Sequence, residues 1–286
     1  MMTDVFDAGS RATFLTLYPE IAGRITHRLS GHELFELEAL IALAGRMRPV
    51  DVEQNLANIP VGIDPDQLEH NGLSIADSIR SIEENGSWMV LKFVEQDPIY
   101  KALLDRVLDE IEPLVARRTG KMLKREGFIF VSSPNAVTPF HFDPEHNILL
   151  QIRGSKVMTV FDPTDTDVVR TEAHEAFHRG AHRNLPFDEA VRDRGTPVSL
   201  EPGEAIYVPV KAPHWVQNGP TTSVSFSITW RSEWSYREQY AHNLNAILRD
   251  AGMNPAAPKR FPDQNVVKST AYRAIDKVKR MTGARK

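Results

Sequence analysis

The chain has no cysteine among its 286 residues, which excludes a disulfide framework, a thiolate zinc centre, an iron–sulfur cluster and a cysteine nucleophile. Any bound metal must rely on His, Asp or Glu. A run of about 18 apolar residues, the length a membrane-crossing helix needs, is also missing. The opening stretch MMTDVFDAGSRATFL carries acidic residues where a signal peptide needs positive charge. A soluble, cytoplasmic protein is the expectation, with no membrane partner. Large net charge is absent too: the formal balance is -4, although residues 259 to 286 hold nine Lys or Arg. That balance argues against nucleic-acid binding, and Lys268, Lys277, Lys279 and Arg280 read as a solvated helix face.

What is present falls into three zones without an internal repeat. Residues 1 to 120 read as a mostly helical flank. Leu34, Leu37, Ile41 and Ala44 share one face, with Ser30 as cap and Gly45 as stop. A further helix after Pro98 turns Leu103, Leu104, Val107, Leu108 and Ile111 inward, and SWMVLKFV before it reads as a strand. Residues 121 to 232 change to short β runs punctuated by Pro, Gly and Asn, the texture of a sandwich or small barrel and therefore of a mainly β core. ILLQIR and KVMTVF read as a hairpin turning at Gly154-Ser155, and Pro202-Gly203 centres another turn. Residues 233 to 286 read as two helices, about 235 to 251 and 264 to 282, that cover the core or pair between subunits.

His141 and Asp143, at i and i+2 of an extended segment, point to one face and can share an ion. In GEAIYVPVKAPHWVQN a strand and a proline-bounded turn bring in His214. Two histidines and a carboxylate leave the opposite coordination positions open, the facial triad of non-haem Fe(II) oxygenases. Lys156, opening the strand expected to pair with residues 147 to 153, can anchor a dicarboxylate, and Thr138 offers that anion a hydroxyl. Phe140, Phe142, Trp215 and Trp230 are candidates for a water-excluding wall. His146 and Glu145 lie beside the triad without its geometry, and Tyr207 reads as core. A rival is HEAFH at 174 to 178, which spells a zincin motif with Glu175 as base and His182 prolonging the ladder. Its polar surroundings favour a solvated insert helix near the active-site mouth.

Thr138, His141, Asp143, Asn147, Gln151-Ile152-Arg153-Gly154 and Lys156 run in one register, followed by Pro202 to Pro209 and Pro213 to Val216. Over residues 125 to 232 this pattern resembles the JmjC and cupin-like family of Fe(II)- and 2-oxoglutarate-dependent oxygenases, and within it the asparaginyl hydroxylase type that inhibits hypoxia-inducible factor. The resemblance implies a double-stranded β-helix (cupin or jelly roll) over residues 121 to 232. It implies iron on His141, Asp143 and His214, and 2-oxoglutarate with its far carboxylate on Lys156 and Thr138, Asn147 nearby. It further implies molecular oxygen as co-substrate, succinate and CO2 as co-products, a hydroxylated protein, peptide or small molecule, and a homodimer. Ser225 stands where that hydroxylase has an asparagine, with plain strand alternation as the other reading of Ser225 and Ser227. A non-catalytic metal-binding cupin module is the alternative.

Overall fold

Residues 3–282, apart from Asn58 and Leu68, are described by a computed structural model. The strands are β1 (Gly23–Thr26), β2 (Val52–Leu56), β3 (Ser87–Lys92), β4 (Met122–Ser132), β5 (Val137–His141), β6 (His146–Arg153), β7 (Lys156–Val160), β8 (Thr196–Leu200), β9 (Glu204–Val208), β10 (His214–Asn218) and β11 (Ser223–Ser232). The helices are α1 (Ala8–Leu17), α2 (Leu37–Ala44), α3 (Ile75–Arg80), α4 (Pro98–Asp109), α5 (Glu112–Thr119), α6 (Thr171–Phe177), α7 (Glu233–Asp250) and α8 (Val266–Met281).

Alternation along β11 organises these elements. Val224, Phe226, Ile228 and Trp230 pack into the principal core with Phe14 of α1, Leu40 and Leu43 of α2 and Leu104 and Val107 of α4. Burying such side chains contributes roughly 1.5–3 kcal/mol each. Ser225, Ser227 and Thr229, on the opposite face of the pleat, look into the space between two sheets. The larger sheet runs β1-β9-β6-β11-β4-β3-β2, the smaller β5-β10-β7-β8, and every pairing is antiparallel. A second core of Leu149, Met158, Ile206, Val208 and Val216 fills the space between them. This is the expected jelly-roll core with flanking helices.

Several local expectations are corrected. Residues 1 to 120 are not only a helical flank, because β1, β2 and β3 extend the larger sheet at both edges. Ser30 caps nothing here: His32 caps a single turn at Glu33–Phe35, and α2 starts after Glu36 with no side-chain cap. The buried face of α2 is Leu40 and Leu43. The helix after Pro98 is as read, its first amides capped by Asp97. Gly154-Ser155 does not close a hairpin, since β6 pairs with β9 and β11 whereas β7 pairs with β8 and β10. The turn instead carries the chain from one sheet to the other. Gly154, at φ +67, is required there because a Cβ would stand 2.4 Å from the Thr222 carbonyl. Pro202-Gly203 makes the return crossing from β8 to β9.

Candidate metal centre

Antiparallel register places the two imidazoles together. His141, the last residue of β5, lies directly across from His214, the first of β10. Their rings are 4.2 Å apart between centroids. Asp143 follows β5 and presents Oδ2 to both, 3.8 Å from each Nε2. One ligand atom from each of the three lies within 4.8 Å of the others, the one such group among the described residues. The ring orientations are fixed from behind: Nδ1–H of His141 donates to the Pro139 carbonyl at 2.7 Å and that of His214 to the Ala212 carbonyl at 2.9 Å. Both Nε2 lone pairs are thereby turned inward, the backing that ligating histidines commonly have. Burial, and then the neighbouring His214, push His141 down to about 3, so it is neutral and able to ligate at ordinary pH.

Asp143 is held by a residue absent from the sequence reading. Its Oδ1 accepts from Arg183 Nη1 at 2.5 Å. Burial alone would raise the carboxyl, but Arg183 first and the two imidazoles next outweigh it and hold it low. Arg183 belongs to the long insert between β7 and β8, where the Asn184 backbone bridges to His141 and the Leu185 amide donates to the Phe140 carbonyl. No local signal in the sequence ties this arginine to an aspartate forty positions earlier. Arg183→Gln is expected to weaken Co(II) binding about 10–100-fold, as loss of a supporting contact to a ligand does, read by direct metal titration.

A cavity of about 80 Å3 opens from the triad between the sheets, lined by Thr138, Asn147, Lys156, Ser227 and Thr229 among others. Lys156 lies at its wall, 5 % exposed, and its ammonium has no hydrogen-bond or ion-pair partner among the described residues. Burial pushes it down to about 7. Ser227 Oγ donates to Asn147 Oδ1 at 2.7 Å, fixing the amide that faces the cavity. Glu145 also lines it, raised by burial and then by Asp143. Phe128, Phe130, Thr138, His141 and Arg183 are shared between this cavity and an outer recess of about 420 Å3 that reaches Trp88, Val90 and Phe93.

Other expected residues fall elsewhere. Ser225 does not line the cavity; its hydroxyl donates to Gln151 Oε1 at 2.8 Å, leaving Ser227 as the serine nearer the metal ligands. The expected wall is also displaced. Phe140 and Phe142 flank His141 and so point to the opposite face, into a cluster with Phe161 against which Trp215 packs. Trp230 belongs to the helix-facing core. Phe128, Phe130, Leu149, Met158 and Val216 form the wall instead. Lys156 faces the cavity from the smaller sheet rather than by pairing with residues 147 to 153. His146 is buried on the helical side between Tyr207 and Ser232, and Tyr207 is wholly buried core.

The HEAFH segment forms α6, which ends at Phe177, so His182 is not on its face. It is not solvated: His174 and Glu175 are buried against α7, and Glu175 is ion-paired with Arg249 at 2.9 Å. A base held this way cannot serve a zinc ion on the histidine side. Lys268 donates to Asn245 Oδ1 at 2.8 Å and Arg280 pairs with Asp276 at 2.6 Å, so the basic terminal face is partly engaged.

A family model described as "Cupin-like domain" matches residues 74–236. The chain is 35 % identical over 101 residues to Jumonji C domain-containing protein 5 of Drosophila melanogaster, covering 32 % of this chain and 24 % of that one. It is 31 % identical over 103 residues to lysine-specific demethylase JMJ30 of Arabidopsis thaliana, covering 34 % and 24 %. The chain thus spans about a quarter of the length of the curated relatives it matches. The X-ray structure of YcfD of Escherichia coli superposes with a TM-score of 0.52 at 17 % identity, over 92 % of this chain and 66 % of that one, a likeness of fold. With the matched model spanning more than half of its length, the chain belongs to the cupin-like domain family.

Proposed function

We propose that the protein is an Fe(II)- and 2-oxoglutarate-dependent oxygenase. The observation that carries this reading is the buried, unpartnered ammonium of Lys156 in the same cavity as the His141–Asp143–His214 group. A charge removed from water without a partner is costly, and its natural complement is a carboxylate brought in by a ligand. The donor set fits iron: two neutral nitrogens and one carboxylate leave a divalent ion with a single net positive charge, which suits a dianionic co-substrate. When bound, that pair would activate oxygen, converting 2-oxoglutarate and O2 to succinate and CO2 with one oxygen atom inserted into a substrate C–H bond.

The chain's own residues supply binding, orientation and dryness. Lys156 and Thr138 receive the far carboxylate, and the Ser227–Asn147 pair presents a fixed amide beside it. Phe128, Phe130, Leu149, Met158 and Val216 restrict water near the metal. The outer recess gives a substrate room beyond the triad, and a protein or peptide side chain is the substrate class this reading favours. YcfD is described as a ribosomal oxygenase and JMJ30 as a demethylase, and both outcomes can begin with the same C–H oxidation. The asparaginyl hydroxylase type remains one version of this reading. Pairing of two copies is likewise a proposal, supported by Val267 and Met281, which α8 leaves exposed. Incubation with Fe(II), 2-oxoglutarate and candidate peptides should release succinate in an iron-dependent manner. A protein that binds both without forming succinate would be a non-catalytic cupin module.

A further inference from the structure

Behind the strand that carries the metal ligands lies a second cavity, of about 120 Å3. A single water needs roughly 10–15 Å3, so this space has room for a small polyatomic ligand. Unsatisfied polar atoms concentrate around it: His174 Nδ1, His242 Nδ1 and Arg260 Nη2 are buried with no hydrogen-bond partner, and Glu238 Oε2 has only the Lys211 ammonium, 2.9 Å away. Buried polar groups are ordinarily satisfied, and a convergent set of orphans points to an occupant.

The remaining contacts decide what these groups can offer. The Lys211 ammonium bridges the Glu238 carboxylate, 3.0 Å from Oε1 and 2.9 Å from Oε2, and Oε1 also accepts from His242 Nε2–H at 3.0 Å, so neutral His242 presents a bare Nδ1 lone pair. Arg260 spends Nε on Glu20 at 2.8 Å and Nη1 on the Val210 carbonyl at 3.0 Å, which leaves Nη2–H. Lys211 has a further N–H free for a ligand. Donors therefore face the space from Arg260 and Lys211, and the Thr166 hydroxyl joins them at the rim. Acceptors face it from Glu238 Oε2 and His242 Nδ1. A metal ion would meet Lys211 and Arg260, and a fully deprotonated anion would meet the Glu238 carboxylate. An anion that keeps a proton satisfies both sets.

We propose that this cavity binds a protonated tetrahedral oxyanion of the hydrogenphosphate class, its oxygens on Lys211 and Arg260 and its P–OH donating to Glu238 or His242. The site is back to back with the metal centre. The Lys211 amide donates to the Asp143 carbonyl at 2.7 Å, and the His174 ring lies 4.6 Å from that of Phe142, between the two ligands of that segment.

Calorimetric titration of the metal-free full chain with inorganic phosphate, and with sulfate at matched ionic strength, tests the proposal. Saturable binding of phosphate and none of sulfate is expected, because sulfate carries no proton at neutral pH. Arg260→Gln should weaken phosphate at least tenfold, and Glu238→Gln should erase the preference and admit sulfate. Because both residues also brace the fold, exposed Thr166→Val serves as a milder variant, weakening binding severalfold with an unchanged melting temperature. Lys156→Met, in the other cavity, should bind phosphate as the parent does. Methyl phosphate, whose second pKa of about 6 leaves it largely without a P–OH at neutral pH, should bind more weakly than inorganic phosphate. Equal binding of sulfate, absence of saturable phosphate binding, or loss in Lys156→Met with retention in Arg260→Gln would overturn it.

Discussion

Replacing His214 with alanine is expected to abolish Fe(II)-dependent succinate formation, with a loss well beyond the 10–100-fold that removal of a supporting contact brings. The imidazole supplies one of three donor atoms, its ring held in place by the Nδ1–H bond to the Ala212 carbonyl. The same change at His141 should be equally severe. The two are a cross-strand pair in β5 and β10, and a lone histidine with Asp143 would leave a divalent ion with two protein ligands. Direct metal titration separates this explanation from misfolding. Both variants should melt cooperatively while binding Co(II) at least a hundredfold more weakly, and a His214→Ala protein that still forms succinate at the parent rate would refute the assignment.

Lys156→Met should raise the 2-oxoglutarate requirement roughly 10- to 150-fold, the range that follows from about 1.5–3 kcal/mol for a hydrogen bond to a charged group. The same variant should be more stable than the parent when no ligand is present. Burial lowers this lysine from its ordinary 10.5 to about 7 in the folded chain. Between those values the unfolded chain holds more protons than the folded one, so stability rises with pH across the window. Below about pH 7 both states are protonated and the cost of the buried charge is present in full. Melting temperatures of the parent should thus climb between pH 7 and 10 relative to Lys156→Met, the difference being greatest on the acidic side. Added 2-oxoglutarate should stabilise the parent and leave the variant unmoved. Identical pH profiles for the two proteins would contradict an unpartnered ammonium in the cavity.

Much of this was legible in periodicity. The split of β11 into an apolar set (224, 226, 228, 230) and a polar set (225, 227, 229) gives its two faces directly. The i, i+2 spacing of His141 and Asp143 gives their shared one. The same rule also says that Phe140 and Phe142 must face away from the metal, and it was there to be read. Alternation does not say which sheet a strand joins. ILLQIR-GS-KVMTVF is indistinguishable from a hairpin until β9, β10 and β11 compete for its two halves. Arg183 was hidden for a related reason: its contact with Asp143 depends on how a long insert folds back along β5, not on any nearby pattern. The burial of His174 and Glu175 was hidden too, because a segment that looks polar becomes interior only when α7 supplies Arg249 and His242 across from it.

The crossings at Gly154 and Gly203 bear on how the protein reaches its native state. Because the strands on either side of each turn belong to different sheets, little of the barrel can form from neighbours along the chain. Pairings between distant segments close large loops and slow folding. His141 and His214 meet only once β5 and β10 have found each other, so uptake of a metal probe during refolding should lag the appearance of helix and serve as a clock for completion of the barrel.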